Sequence, residues 1–278
     1  MNCSNEKIRN LILDMDGVLW HGDTPVSGLA EFFTTIRQLQ INFVLATNNA
    51  TKVSSDYAAK LAGFGINISV SDILTSAEVT ALYLKQKSPD GAVIYVVGEN
   101  GLRTALHDQG FELIDTELMV PTNEEADYVV VGMTRDVCYR QLASASQFIN
   151  LGATFVGTNP DVTFPTEIGP MPGAGSILSF LETATGIKPI IIGKPNRTIF
   201  DEAIRRLNGN LSDTVMVGDR LNTDIAGGHS AGLRTVLLLS GISSRNDLVD
   251  SRVQPDWIFS DLFELSGFLQ AGQPDNWQ

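Results

Sequence analysis

Short apolar runs of strand length alternate with amphipathic stretches of helix length along most of this chain, the pattern of a parallel sheet covered by helices. The first run, IRNLILDMD, reads as a buried strand ending in acid. A turn carrying Gly22, Pro25 and Gly28 leads to a helix over Leu29–Gln40, then INFVLATNN as a strand and a helix over Val53–Phe64 closed by Gly63 and Gly65. Thr75, Ser76 and Glu78 open another helix running to Lys87.

The alternation breaks at Ser88–Gly91, then resumes with AVIYVVG, a helix over Leu102–Gln109, DYVVVGM, a helix over Tyr139–Asn150 and ATFVGTN. Pro160–Pro172, with prolines at 160, 165, 170 and 172, reads as a long irregular loop, a feature that is usually functional or disordered. A helix over Gly173–Thr185, the strand IKPIIIG, a helix over Thr198–Leu207, the strand TVMVGD, a helix over Thr223–Ala231 and the strand RTVLLLSG follow. PDWIFSD and Leu262–Leu269 close the chain as strand and helix. The length of 278 residues fits about two domains.

Composition narrows the function classes. The net charge is −13 and the pI about 4.6, so the chain repels phosphate backbones and anionic lipid; neither nucleic acid nor a membrane is an expected partner. Hydrophobic residues reach 43% while charged ones make up only 18%, so the acidity reflects scarce bases in a globular protein. Cys3 and Cys138 are too few for a disulfide framework. The first apolar stretch runs straight into Asp14 and Asp16, so no signal peptide is expected, and no uncharged run approaches the ~18 residues of a membrane span. A cytoplasmic setting is expected.

Chemistry concentrates at the ends of the apolar strands. LILDMDGVL places Asp14 and Asp16 at the carboxyl end of a buried strand, where open α/β sheets bind ligands. Two carboxylates this close repel unless a cation or shared proton relieves them. Alone, the motif is equally well an Asp-Gly turn, and an EF-hand calcium loop is disfavoured because no acid follows at the required spacing. The ends of other runs supply more: Thr47, Asn48 and Asn49 after FVLA, Lys194 after IIIG, Asp219 after TVMVG and Asp224 five residues on. Each has a bland reading as a cap, turn or solvated residue. Four polar strand ends in one sheet make incidental placement a poor account. GAGSIL at 173–178 imitates a dinucleotide fingerprint but follows prolines instead of a strand, His21, His107 and His229 lack metal-ligand spacing, and Trp20 reads as a packing residue.

With DMDGV, TNN, GKP and GDRLNTDI in this order, the sequence resembles the haloacid dehalogenase superfamily of phosphatases, and within it the subfamily of NagD, 4-nitrophenylphosphatase and pyridoxal phosphate phosphatase enzymes. The resemblance covers nearly the whole chain. It implies a Rossmann-like doubly wound parallel-sheet core, 1–80 and 187–278, with a large α/β cap inserted at 81–186 that closes over the site. It further implies Asp14 as nucleophile and Asp16 as proton donor and acceptor. Mg²⁺ is then held by the Asp14 and Asp219 side chains and the Asp16 backbone carbonyl, with Asp224 supporting from behind. Lys194 holds Asp14 and the phosphoryl group, and Thr47 with Asn48 and Asn49 clasps the transferring oxygens. Phe164 sits where related enzymes place a substrate-contacting residue, although a loop residue of this kind equally well packs.

The activity so implied is hydrolysis of a small phosphorylated metabolite, such as a sugar phosphate, a nucleoside monophosphate, pyridoxal phosphate or 4-nitrophenyl phosphate. A sugar-phosphate mutase is the nearest alternative, but those relatives insert a helical cap after the first motif, and the stretch from Asp14 to Thr47 is too short for one. Hydrolytic dehalogenases lack an acid at the position of Asp16. Aspartyl-phosphate signalling modules are shorter and place their metal-binding acids before the phosphorylated Asp. Cap-mediated dimerisation is common among relatives, so a homodimer is compatible with the resemblance.

Overall fold

The computed structural model describes residues 7–114, 125–166 and 169–273; Cys3 lies outside them. The chain divides into two units, each discontinuous in sequence. The first comprises residues up to 47, 58–74 and from 194 onward, and the second comprises 48–57 and 75–193. Helix Ser76–Lys87 packs on helix Asn100–Asp108, and strand Ile190–Ile191 pairs with Thr154–Gly157, which is why both flanks of the inserted segment belong with the second unit.

In the first unit a six-stranded sheet runs in the order Trp257–Phe259, Arg234–Leu238, Thr214–Gly218, Asn10–Leu13, Asn42–Thr47, Ile73–Thr75. The pairings from Trp257–Phe259 through Asn42–Thr47 are all parallel. Asn10–Leu13 is buried along its whole length, so its four residues show no alternation of apolar and polar positions. Helix Leu29–Gln38 buries Phe32, Phe33 and Ile36 at helical spacing, and Phe33 meets Phe43 edge-on with ring centroids 5.2 Å apart. The chain leaves Asn10–Leu13 for Asn42–Thr47 on one side and later returns to Thr214–Gly218 on the other. That reversal is a topological switch point, where the carboxyl ends of neighbouring strands open a crevice.

The second unit holds a five-stranded parallel sheet in the order Ile190–Ile191, Thr154–Gly157, Tyr128–Val131, Val93–Val97, Glu112–Ile114. Helices Tyr139–Asn150 and Ala174–Thr185 seal Val97, Val129, Val131 and Phe155 with Phe148, Leu178 and Leu181. The fold class is thus the expected α/β arrangement of parallel sheets.

Two expectations need correction. The stretch Pro160–Pro172 is not irregular throughout: Thr163–Thr166 and Gly169–Pro172 pair antiparallel, with Pro165 opposite Pro170. In a two-stranded ribbon each strand is an edge, so a missing N–H on the outer side is tolerated. The strand before Lys194 is also not part of the first sheet. Ile190–Ile191 is an edge strand of the second unit, and Lys194 begins the return of the chain to the first. Among the described residues, no helix is long and apolar enough to cross a membrane.

Candidate active site

Asp14 directly follows strand Asn10–Leu13 and continues its ladder, donating its N–H to the Val217 carbonyl at 2.9 Å. Asp219 follows the neighbouring strand Thr214–Gly218; its Oδ2 accepts the Ile242 N–H at 2.7 Å and its carbonyl the Ser243 N–H at 3.0 Å. Asp224 lies in a π turn, Leu221–Ile225, and its Oδ2 accepts the Arg220 N–H at 3.1 Å. A Cβ on Gly218 would fall 2.3 Å from Asp224 Cβ, so only glycine lets the turn fold back this closely on the strand end. One carboxylate oxygen from each of Asp14, Asp219 and Asp224 lies within 4.8 Å of the others, and all three residues are buried.

Lys194 is the cation inside this cluster. Its Nζ donates to Asp14 Oδ1 at 2.7 Å and to the Ala46 carbonyl at 3.0 Å, and it is ion-paired with Asp224, 2.8 Å from Oδ1. Burial works against its charge, but Asp14 and Asp224 outweigh that and hold Lys194 above the usual lysine range. Asp219 and Asp224 are both pushed above the usual carboxylate range, first by burial and then, for Asp219, by the charges of Asp14 and Asp224; Lys194 opposes the rise of Asp224.

The residues of the cluster fit a bound cation. Asp219 Oδ1 is buried without a hydrogen-bond partner, an arrangement that costs free energy unless something supplies positive charge or a donor. Three acids against one lysine leave net negative charge in a water-poor crevice, and an all-oxygen donor set suits a hard divalent ion such as Mg²⁺.

Asp16, two residues beyond Asp14, is exposed on one side and crowded on the others. Loss of hydration and the charge of Asp14 raise its carboxyl above the usual range, opposed by Trp20, Lys60 and Lys194. Its Oδ1 accepts a hydrogen bond from Trp20 Nε1 at 2.8 Å. Trp20 is 1% exposed, so packing was the correct expectation for its ring but missed its polar edge. Nothing in the apolar pattern marks such a donor. Gly17, at φ +88°, turns the chain between them.

Thr47 is buried at the end of strand Asn42–Thr47, adjoining the strand that carries Asp14. The structure therefore brings Asp14, Asp16, Thr47, Lys194, Asp219 and Asp224 into one unit. Asn48, Asn49 and Phe164 belong to the second. There the Asn48 carbonyl accepts from Ser76 Oγ at 2.6 Å and Asn159 Nδ2 at 2.8 Å, and Asn48 Nδ2 donates to Asp161 at 3.0 Å. Asn49 Oδ1 accepts from the N–H and hydroxyl of Thr51. Phe164 is half-buried, with the Arg135 guanidinium 5.8 Å from its ring centroid and both Glu99 oxygens 2.8 Å from Arg135 Nη1.

The family described as haloacid dehalogenase-like hydrolase matches residues 11–112, and a HAD-hydrolase-like family matches residues 191–265. An acid sugar phosphatase of Staphylococcus saprophyticus is 36% identical over 91% of this chain and 95% of its own length. The chain belongs to the haloacid dehalogenase-like hydrolases. It is an enzyme of that family's phosphatase branch, a phosphoric monoester hydrolase. A 5'-nucleotidase of Bacillus subtilis, YutF, is 34% identical over 94% of this chain and 98% of its own. Among solved structures, a 4-nitrophenylphosphatase from Thermotoga maritima superposes with a TM-score of 0.88 at 32% identity, covering 96% of this chain and 99% of that one. NagD from E. coli K-12 gives 0.83 at 36% identity, covering 92% and 98%.

Proposed function

We propose that this enzyme is a Mg²⁺-dependent phosphatase of small phosphomonoesters that works through an aspartyl-phosphate on Asp14. The observation that carries the reading is the buried set of Asp14, Asp219 and Asp224 around Lys194, with Asp219 Oδ1 left unpartnered. Mg²⁺ would be held by the Asp14 and Asp219 side chains and the Asp16 backbone carbonyl, with Asp224 behind them, and when bound it supplies the neutralising charge a carboxylate needs to approach a phosphate dianion.

Asp14 attacks phosphorus in line as the bond to the ester oxygen breaks, and that oxygen leaves with the electron pair and takes a proton from Asp16. In the second step a water oxygen bonds to phosphorus, the bond from phosphorus to the Asp14 oxygen breaks, and Asp16 takes back a proton from the water. Lys194 restrains Asp14 through the 2.7 Å contact and screens its charge from the incoming phosphate. The Thr47 hydroxyl and the N–H groups of Asn48 and Asn49, which follow it in the chain, are assigned to the transferring oxygens.

Choice among esters is assigned to the inserted second unit, with Phe164 as a substrate-contact candidate. Relatives named for sugar phosphates, nucleotides and nitrophenyl phosphate support small soluble esters as the class. The test is phosphate release from 4-nitrophenyl phosphate by purified protein with Mg²⁺, with EDTA, and in Asp14→Asn. Release confined to the Mg²⁺-loaded wild type supports the proposal, and release that survives both chelation and Asp14→Asn removes it. A panel of phosphorylated sugars, nucleotides and vitamers then ranks the substrates.

A further inference from the structure

The chain makes a tight return immediately after the first motif. Gly17 N–H donates to the Trp20 carbonyl at 2.8 Å, Leu19 N–H donates to the Met15 carbonyl at 2.8 Å, and Asp16 and Trp20 form a backbone bridge. The Trp20 side chain repeats the closure, with Nε1 2.8 Å from Asp16 Oδ1. Asp16 and Trp20 are therefore tied together through both backbone and side chain. Among the described residues no other hydrogen bond reaches the Asp16 carboxyl.

The indole has little freedom. It is buried, packs near Phe64 with ring centroids 6.3 Å apart, and carries Lys60 Nζ 4.6 Å from its ring centroid. Lys60 is in turn anchored, donating to the Gly22 carbonyl at 2.6 Å and standing 3.5 Å from Asp23. A cation over the ring face is attracted to the π system and holds the ring in one plane. A buried indole N–H also has a strong requirement for an acceptor, because a buried donor left unpaired loses its hydration with nothing in return. Asp16 Oδ1 supplies that acceptor.

We infer that Trp20 is a positioning residue for proton transfer: its clamped indole N–H occupies Oδ1 of Asp16 and so reserves Oδ2 as the oxygen that delivers the proton to the leaving group and recovers it from water. An indole N–H is a donor only, so it selects the carboxyl orientation in which Oδ1 accepts. The proton is then carried on the other oxygen. The inference rests on the proposed acid–base role of Asp16 and adds to it which atom acts and what aims it.

The leaving group separates positioning from packing. 4-Nitrophenolate departs as a stable anion and needs little protonation, whereas 4-methylphenolate, of nearly the same shape, needs more. The experiment measures kcat/KM for 4-nitrophenyl and 4-methylphenyl phosphate in the Mg²⁺-loaded wild type, Asp16→Asn, Trp20→Phe, and a protein carrying 3-benzothienylalanine at position 20. In that last isostere sulfur replaces the N–H at almost constant volume, so it preserves packing if Trp20→Phe folds poorly. General acid catalysis contributes about 10²–10⁴-fold, so loss of aim alone should widen the ratio between the two substrates by about ten-fold in both position-20 variants, in the same direction as in Asp16→Asn. A widened ratio in Asp16→Asn with an unchanged ratio in the position-20 isostere overturns the inference and leaves the role of Asp16 intact. An unchanged ratio in Asp16→Asn itself overturns that role, and the inference with it.

Discussion

Replacing Lys194 by Met removes the countercharge from a cluster that contains three acids. At 2.7 and 2.8 Å, and with an effective dielectric constant of about 20, each contact to Asp14 and Asp224 is worth about 6 kcal/mol of gross attraction. Desolvation of the three buried groups offsets much of this, and truncating one partner of a buried pair has a net cost of about 3–5 kcal/mol because the other charge is stranded. Two carboxylates are stranded here, so the upper part of that range is expected for the metal-free protein at pH 8. Asp224 is pushed up to about 6, so below that pH the loss should shrink, since a protonated Asp224 carboxyl no longer needs the ammonium group. The assay is urea unfolding of wild type and Lys194→Met in EDTA at pH 8 and pH 5. A difference under about 1 kcal/mol at pH 8, or one that is no smaller at pH 5, refutes the view that Lys194 is the countercharge of this cluster.

Two further consequences concern the same acids. Asp219 is pushed up to about 8 and Asp224 to about 6 from an ordinary value near 3.8, chiefly by burial. The metal-free native state therefore holds more protons than the unfolded chain between about pH 4 and pH 8, and its stability falls as pH rises through that window. In the proposed site Mg²⁺ would replace those protons, so calorimetry should show the added ion raising Tm more at pH 8.5 than at pH 5.5; equal increments would contradict the sign. Gly17→Ala places a Cβ 2.3 Å from Asp219 Oδ2 at a φ of +88°, which strains the turn by about 1–3 kcal/mol and displaces the oxygen. Isothermal titration should find Mg²⁺ affinity lowered at least about ten-fold, and wild-type affinity would show that Asp219 does not need this space.

The part of the site that was legible from sequence is the part where side-chain chemistry and strand patterning coincide. Asp14 and Asp219 end unbroken apolar runs, and such runs are central parallel strands whose carboxyl ends meet at the switch point. Lys194 was legible as a residue but not in its placement, because the apolar run before it is a two-residue edge strand of the other sheet and periodicity does not say which sheet a run joins. The turn around Asp224 reads as the start of a helix and is instead a π turn ahead of helix Ala226–Ala231; the extra residue in that turn has no signature in LNTDI. The pairs Trp20–His21 and Thr24–Pro25 form a hairpin too short for alternation to register. The hydrogen bond from Trp20 to Asp16 depends on that hairpin and on the turn at Gly17, so it emerges only from three-dimensional geometry.

The central claim is that phosphate passes through a covalent bond to Asp14. The most direct measurement is acid quench of the Mg²⁺-loaded enzyme during turnover of 4-nitrophenyl phosphate, followed by borohydride reduction, which converts an acyl phosphate on aspartate to homoserine, and peptide mass spectrometry. Homoserine at position 14 in wild type, and at no other aspartate, is the predicted result. A peptide carrying unmodified Asp14 during fast turnover, or homoserine at a different acid, would contradict the account.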